Sequence, residues 1–337
     1  MKKWSIVGVV VILVVAISAV LGYYYLTSQT PVTLKEPVKL KFATFDVGTS
    51  WYLLGGAVSE IFKQSLPAGS TVDVLPYAGG IANNILVANY TADMATSFSL
   101  TAKLAYEGIA PMYRTKYDNL RLLAAPLDTY WFGLAVPKDS DIQTFDDIIN
   151  PKRPIKLGTS TVGGLSEYQL RLILEAYGLT VDDLKGKGVS IMNAGFTTLA
   201  REMQAKRLDV ISWVVNPGHP TWSELFVNPG MRFVPLPDKV INHLVTKYGL
   251  KADKLQKGLF SDSNEAATVM FYTILVVRND MPEQVAYMLA KALVENKATL
   301  ETAYPASKGI WDPSKYKDFA VIPYHPGAER YYREKFG

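Results

Sequence analysis

The sequence predicts an α/β protein built as two lobes, on three observations. Strand-like and helix-like segments alternate from Leu40 onward, which implies parallel sheets covered by helices. The order strand, Gly/Ser/Thr turn, helix, strand, helix, Asp, strand occurs twice. The chain has 337 residues, too many for one ordinary core.

The first run of the pattern starts at Leu40 to Phe45, which alternates as a half-buried strand. Asp46-Val47-Gly48-Thr49-Ser50 breaks it, with Thr49 or Ser50 as the helix cap. Trp51 to Phe62 then sets Leu53, Leu54, Ala57, Val58, Ile61 and Phe62 on one helical face. Thr71 to Tyr77 reads as the second strand, Ala78-Gly79-Gly80 as a turn, and Ile81 to Tyr90 as a helix. Asp93 leads into a third strand, Met94 to Ser99, and a helix from Leu100 to Tyr106. Arg121 to Val136 is a long apolar stretch, with Trp131 and Phe132 near its middle, read as one strand crossing between lobes.

The pattern then repeats. Ile155 to Gly158 is a strand and Thr159-Ser160-Thr161-Val162-Gly163-Gly164 a second small-residue turn. Ser166 is expected to cap a helix to Tyr177, ended by Gly178. Gly188 to Met192 is a strand and Thr197 to Lys206 a helix. Asp209, in the place of Asp93, leads into the strand Val210 to Val215. Arg232 to Pro235 is a short strand, and Thr268 to Val277 is the return crossing. Met281 to Tyr304 reads as helix, with Pro282 near its first turn.

Ahead of all this, Trp4 to Gly22 is uncharged and close to the roughly 20 residues that span a bilayer as a helix. Lys2 and Lys3 precede it and Tyr23-Tyr24-Tyr25 follows, so the positive-inside rule puts the rest of the chain outside the cytoplasm. On this reading residues 1–26 are a transmembrane anchor or signal segment and 27–37 a tether. Residues 38–130 are the first part of lobe 1, 131–272 are lobe 2, and 273–337 are the return strand and the rest of lobe 1.

Composition excludes several functions. There are no cysteines, hence no disulfide, thiolate metal site or cysteine nucleophile. The net charge of +4 owes two units to Lys2 and Lys3, so the body is near neutral and no nucleic-acid partner is expected. His219, His243 and His325 are the only histidines, and no His/Asp/Glu spacing suits a metal. G-x-S-x-G, H-E-x-x-H, P-loop and G-x-G-x-x-G motifs are all missing, which leaves little for an exported hydrolase.

The two Gly/Ser/Thr turns carry the functional expectation. A helix starting at a strand end offers backbone N–H groups and the positive end of its dipole to an anion. In parallel sheets ligands bind beyond the carboxyl ends of strands. The expected ligand contacts are therefore Thr49, Ser50, Trp51, Tyr52, Tyr77, Gly79, Gly80, Ser97 and Ser99 from the first lobe. From the second they are Thr159, Ser160, Thr161, Ser166, Trp213 and Asn216. Plain capping, turn chemistry and, for Trp131 and Trp213, core packing compete for these residues. No catalytic residue, metal or cofactor is expected.

Several segments resemble a known family. Val47 to Ala57 is similar to its first-helix motif, in which a Gly-Gly-Thr turn runs into Tyr-Tyr and a Gly-Ala pair. Ala78-Gly79-Gly80-Ile81-Ala82-Asn83-Asn84 is similar to its Gly-Gly-Ser-x-Glu-Asn turn. Tyr177 to Asp183 resembles its link after the second-lobe helix. Ile322 to Ala328, followed by Tyr331-Tyr332-Arg333-Glu334-Lys335, resembles its C-terminal signature. The family is the TAXI type of extracytoplasmic solute receptor of TRAP transporters.

The resemblance implies a periplasmic-binding-protein-like fold of type II topology. It implies a receptor that delivers a small organic anion or amino acid to the TRAP permease subunits, and a structural role for His325. The chain departs from the family at Asp46-Val47, in Gly158 to Ser166, and at Ser97-Phe98-Ser99, where Gln-Ser-Asp is usual. A receptor for an ATP-driven ABC importer is the competing transport reading.

Overall fold

The computed structural model of the chain describes residues 34–337 apart from Asp46, Gly48 and Ala78. The expected span Trp4–Gly22 and most of the tether lie outside the described residues. Among the described residues no helix is long and apolar enough to cross a membrane.

Strand β1 (Lys39–Ala43) is followed by α1 (Ser50–Ser65), β2 (Thr71–Leu75), α2 (Gly80–Ala88), β3 (Met94–Phe98) and α3 (Ser99–Glu107). The second series is β6 (Ile155–Thr159), α5 (Leu165–Glu175), α6 (Val181–Gly186), β7 (Val189–Asn193), α7 (Phe196–Gln204), β8 (Val210–Val215) and α8 (Pro220–Val227). Between them lie β4 (Leu120–Ala124), β5 (Thr129–Pro137) and α4 (Phe145–Ile149). After them come β9 (Met231–Phe233), α9 (Asp238–Tyr248), β10 (Lys251–Leu255), β11 (Ala266–Arg278), α10 (Glu283–Glu295), α11 (Lys297–Ala303) and α12 (Pro326–Phe336).

The strands form two matching sets. In the first half β2, β1 and β3 are parallel neighbours, β11 lies antiparallel beside β3, and β4 lies antiparallel beside β11. In the second half β7, β6 and β8 are parallel, β5 lies antiparallel beside β8, and β9 lies antiparallel beside β5. Each half thus receives one antiparallel strand from the chain's crossing. Residues 266–272 of β11 pair with β10 and β5, whereas its residues 273–278 pair with β3 and β4.

The echo extends to side chains. Asp93 accepts the backbone N–H of Lys41 at 2.8 Å and pairs with Arg278 at 3.0 Å. Asp209 accepts the backbone N–H of Lys156 at 2.8 Å and pairs with Arg153 at 2.8 Å. Each aspartate pins the amino end of its half's parallel strands.

Three expectations are corrected. The stretch Arg121 to Val136 is two strands, β4 and β5, because Pro126 has no N–H to give a ladder and the chain turns there. The buried face of α1 is Trp51, Leu54, Val58, Ile61 and Phe62, while Leu53 is 61% exposed and Ala57 half-buried. The indole of Trp51 is held by Thr273, and that rotates the face. The helix expected from Met281 to Tyr304 is interrupted at Asn296.

The C-terminal segment closes the first half. Leu122 exchanges backbone bonds with Pro323 and His325, both 2.9 Å. Buried His325 accepts the Gly327 N–H through Nδ1 and caps α12. A Cβ on Gly327 would stand 2.1 Å from the Glu283 carbonyl oxygen, so only glycine lets α12 approach α10 this closely.

Candidate ligand-binding cleft

Strand β11 serves as a ruler for where the helices begin. Strand β3 runs against it and ends at Phe98, opposite Thr273. Strand β8 runs with it and ends at Val215, opposite Trp131, which itself pairs with Met270. The carboxyl ends of the two parallel sets therefore point toward each other along the crossing strands. Three residue steps of β11 separate those registers, roughly 10 Å along the strand. Six helices start at these ends: α1, α2 and α3 after β1, β2 and β3, and α5, α7 and α8 after β6, β7 and β8. Their first N–H groups and positive dipole ends lie at those carboxyl ends.

In the first half the cap of α1 is Thr49, whose hydroxyl accepts the Tyr52 N–H at 3.3 Å. Half-buried Ser50 lies with its hydroxyl 3.3 Å from that of Tyr130, on crossing strand β5. Trp51 is buried. It donates from Nε1 to the Thr273 hydroxyl at 2.9 Å and packs on Phe98 at 4.3 Å between ring centres. Tyr52 and Tyr77 are half-buried. Gly79 caps α2 at φ +90°, a conformation that favours glycine. A Cβ on Gly80 would stand 3.0 Å from the Phe98 ring and 3.1 Å from Trp51, so glycine lets α2 start against both rings. The buried hydroxyl of Ser97 lies 3.2 Å from that of Thr101, and Ser99 accepts the Tyr272 N–H at 3.2 Å.

In the second half Thr159 and Ser160 are buried. The Ser160 hydroxyl accepts the Glu167 N–H at 2.9 Å, inside the first turn of α5. Thr161 is exposed. Ser166 does not cap α5, which starts from Gly164; it is already inside the helix, and its hydroxyl accepts the Val214 N–H at 3.2 Å. Trp213 is half-buried and stacks flat on Phe196, 4.7 Å between ring centres. Asn216 is half-buried just beyond β8, and Trp131 donates from Nε1 to Asp253 at 2.8 Å.

Sequence reasoning overlooked three groups. Glu167 lies in the first turn of α5, 6% exposed, paired with Arg171 at 2.5 Å. His219 caps α8 by accepting the Thr221 N–H on Nδ1, and burial holds its pKa below the ordinary value. The third is Asp128, at the start of β5. It is 2% exposed, accepts the Thr273 N–H at 3.2 Å and the Tyr304 hydroxyl at 2.5 Å, and faces no cation among the described residues. Burial pushes its pKa up to about 6, against the pull of those hydrogen bonds. The lone acid between Leu120 and Val136 was the available signal. Among the described residues no group of His, Asp and Glu is placed to hold a metal ion.

Two matched α/β sets with a shared pair of crossing strands define the fold of the periplasmic solute-binding proteins. Solved structures agree. A TctC solute-binding protein from Polaromonas matches with TM-score 0.54 at 12% identity, over 88% of this chain and 96% of that one. MatC from Rhodopseudomonas palustris, with bound malate, matches with TM-score 0.54 at 11% identity, over 89% and 97%. A binding component of an ABC phosphonate transporter from Pseudomonas aeruginosa matches with TM-score 0.53 at 13% identity, over 82% and 80%. Within this fold the chain belongs to the NMT1-like family, whose model matches residues 42–335.

Proposed function

We propose that the protein is an extracytoplasmic solute receptor. It grips a small organic acid or amino acid between its two halves and delivers it to a TRAP-type, ion-driven permease. The observation that supports this reading is that six helices start at the carboxyl ends of the two parallel strand sets, which point toward each other along β11. The first turns of α1, α2 and α3 contain no acidic residue. An anion there meets unopposed N–H groups without needing an arginine or lysine.

In this reading residues 38–130 with 273–337 act as one lobe and residues 131–272 as the other. Thr49, Ser50, Tyr52 and Tyr77, with the backbone of Gly79 and Gly80, hold the anionic group. Thr161 and Asn216 reach it from the opposite side. Trp51, Ser97, Ser99, Thr159, Ser160, Ser166 and Trp213 shape the wall behind. Contacts to both lobes favour the closed arrangement. Residues 1–26 anchor the receptor in the membrane, with the folded part outside the cytoplasm.

The malate seen on MatC and the phosphonate carrier's role both suit an acidic solute. The phosphonate carrier serves an ABC transporter, so that partner is the second reading. A multi-span permease encoded beside this gene supports TRAP, and an ATPase subunit supports ABC. A carrier fits better than a hydrolase, because the Ser50 hydroxyl partners that of Tyr130 and the Ser160 hydroxyl accepts the Glu167 N–H, a capping bond rather than a nucleophile's.

Thermal unfolding of the full-length chain against a panel of organic acids and amino acids tests the proposal. A solute at about 100-fold over its Kd adds roughly 2.7 kcal/mol, a clear rise in Tm. A panel with no acid that raises Tm, and a neutral sugar or a cation that does, overturns it.

A further inference from the structure

A line of hydroxyls runs from a buried acid at the crossing to the start of α1. Asp128, just before β5, accepts the Thr273 N–H at 3.2 Å. Thr273 is the residue at which β11 passes from pairing with β5 to pairing with β3. Its hydroxyl takes the Trp51 Nε1–H and turns its own proton to Asp128. The other carboxyl oxygen of Asp128 accepts the Tyr304 hydroxyl at 2.5 Å. Ser50 is the second hydrogen-bonding neighbour of the Tyr304 hydroxyl, and it lies 3.3 Å from that of Tyr130. An asparagine at 128 would fill the same space and accept the same N–H without the cost of a buried charge. What an acid adds there is a proton that comes and goes.

We infer that Asp128 is a positioning residue whose proton sets which way the Ser50 hydroxyl points, so that the protein takes up a proton when it takes up an anionic solute. The inference rests on the solute reading above, in which Ser50 helps hold the anionic group. An ionised carboxylate only accepts. Tyr304 then gives its proton to Asp128, and its free lone pair draws the Ser50 O–H inward. A protonated Asp128 donates to the Tyr304 oxygen instead. Tyr304 in turn donates to the Ser50 oxygen, and the Ser50 O–H is released to an anion. Protonation also removes a negative charge that repels the solute's own through a medium of low dielectric. Both effects make the protonated form the better binder of anions. The titratable groups that face Asp128 are Tyr130 from β5 and Tyr304 after α11, and burial keeps both neutral. The neighbours from β11 and α1, Thr273, Ser50 and Trp51, carry no charge. Burial lifts the Asp128 carboxyl to about 6, and a bound anion lifts it further.

Calorimetric titration of the full-length chain with pyruvate and L-glutamate, whose carboxylates stay ionised from about pH 5 to pH 8, reads the linkage. Kd should be flat below about pH 6, rise about tenfold above it, the worth of one hydrogen bond to a charged group, and then level off. Near neutral pH, binding heats in buffers of different ionisation enthalpy should show protons taken up. The amide of Asp128→Asn donates to Tyr304 as the protonated acid does, so this variant should bind tightly across the range without proton uptake. Tyr304→Phe cuts the relay and should also flatten the profile, and it reports in place of Asp128→Asn if that change disturbs the crossing. A Kd independent of pH in the unmodified chain overturns the inference. So does a pH dependence that survives both variants, which belongs to another group such as His219 at the start of α8. Acid binding with a flat profile sinks the relay alone. If neither these two acids nor any other in the thermal panel binds at either end of the pH range, the solute reading falls and the relay with it.

Discussion

The two strand-to-helix junctions share a sequence pattern but not a chemistry. At the first, the side chains of Ser50 and Trp51 meet side chains of the two crossing strands, Tyr130 and Thr273. At the second, Ser160 and Ser166 bond within their own half, to backbone N–H groups of Glu167 and Val214. The first turn of α1 has no acid, while that of α5 carries Glu167. A carboxylate at a helix start already uses the favourable potential there. The repeated layout therefore offers two anion-friendly turns, and Glu167 already occupies the second. In the proposed reading the first junction is where a solute's charge is best held.

The largest test of this difference is Trp51→Ala against Ser166→Ala. Trp51 is buried against Phe98 and anchors α1 to β11. Its truncation should lose about 3–5 kcal/mol in urea unfolding, and Ser166→Ala about 1–3 kcal/mol through one orphaned N–H. Equal losses would mean that the junctions are equivalent.

Asp128 belongs only to the first junction's network, so a pH series isolates it. Its folded pKa of about 6 lies above the ordinary 3.8. Between these values the unfolded chain is ionised while the folded protein keeps the proton. The stability this group lends is therefore full below pH 3.8 and lost as pH rises to about 6, some 3 kcal/mol in all. Unfolding midpoints measured from pH 4 to 7 should fall accordingly, and Asp128→Asn should flatten that part of the curve.

Affinity for the solute gives the next test. Thr49→Ala should weaken binding by about 1.5–3 kcal/mol, roughly tenfold or more, whereas Ser160→Ala should change Kd much less. Calorimetry showing the reverse order would move the anion to the second half. The smallest effect is expected from Glu167→Gln, with about 0.3–1 kcal/mol lost from α5. Succinate should gain affinity relative to succinamate in this variant, because the second turn then accepts a second charge.

The alternation of strands and helices was legible because periodicity is local. Asp93 and Asp209 stood out as a matched pair in the sequence, yet what they bind required the fold. The break at Pro126 was hidden by apolar residues on both sides, since an apolar run looks the same whether it serves one strand or two. The partners of hydroxyls were equally hidden. Trp51 meets Thr273, and Ser99 meets the Tyr272 backbone, across most of the chain's length. No local spacing announces such bonds, and they decide which hydroxyls remain for a ligand.

Strand β11 is the neighbour of β3 but is made after two thirds of the chain. The amino-terminal half therefore waits, incomplete, while the later half is synthesised and can already assemble around β8. Closing so long a loop is slow. Chains cut after Val215 should leave residues 39–124 protease-sensitive, and resistance should return only once Arg278 is included.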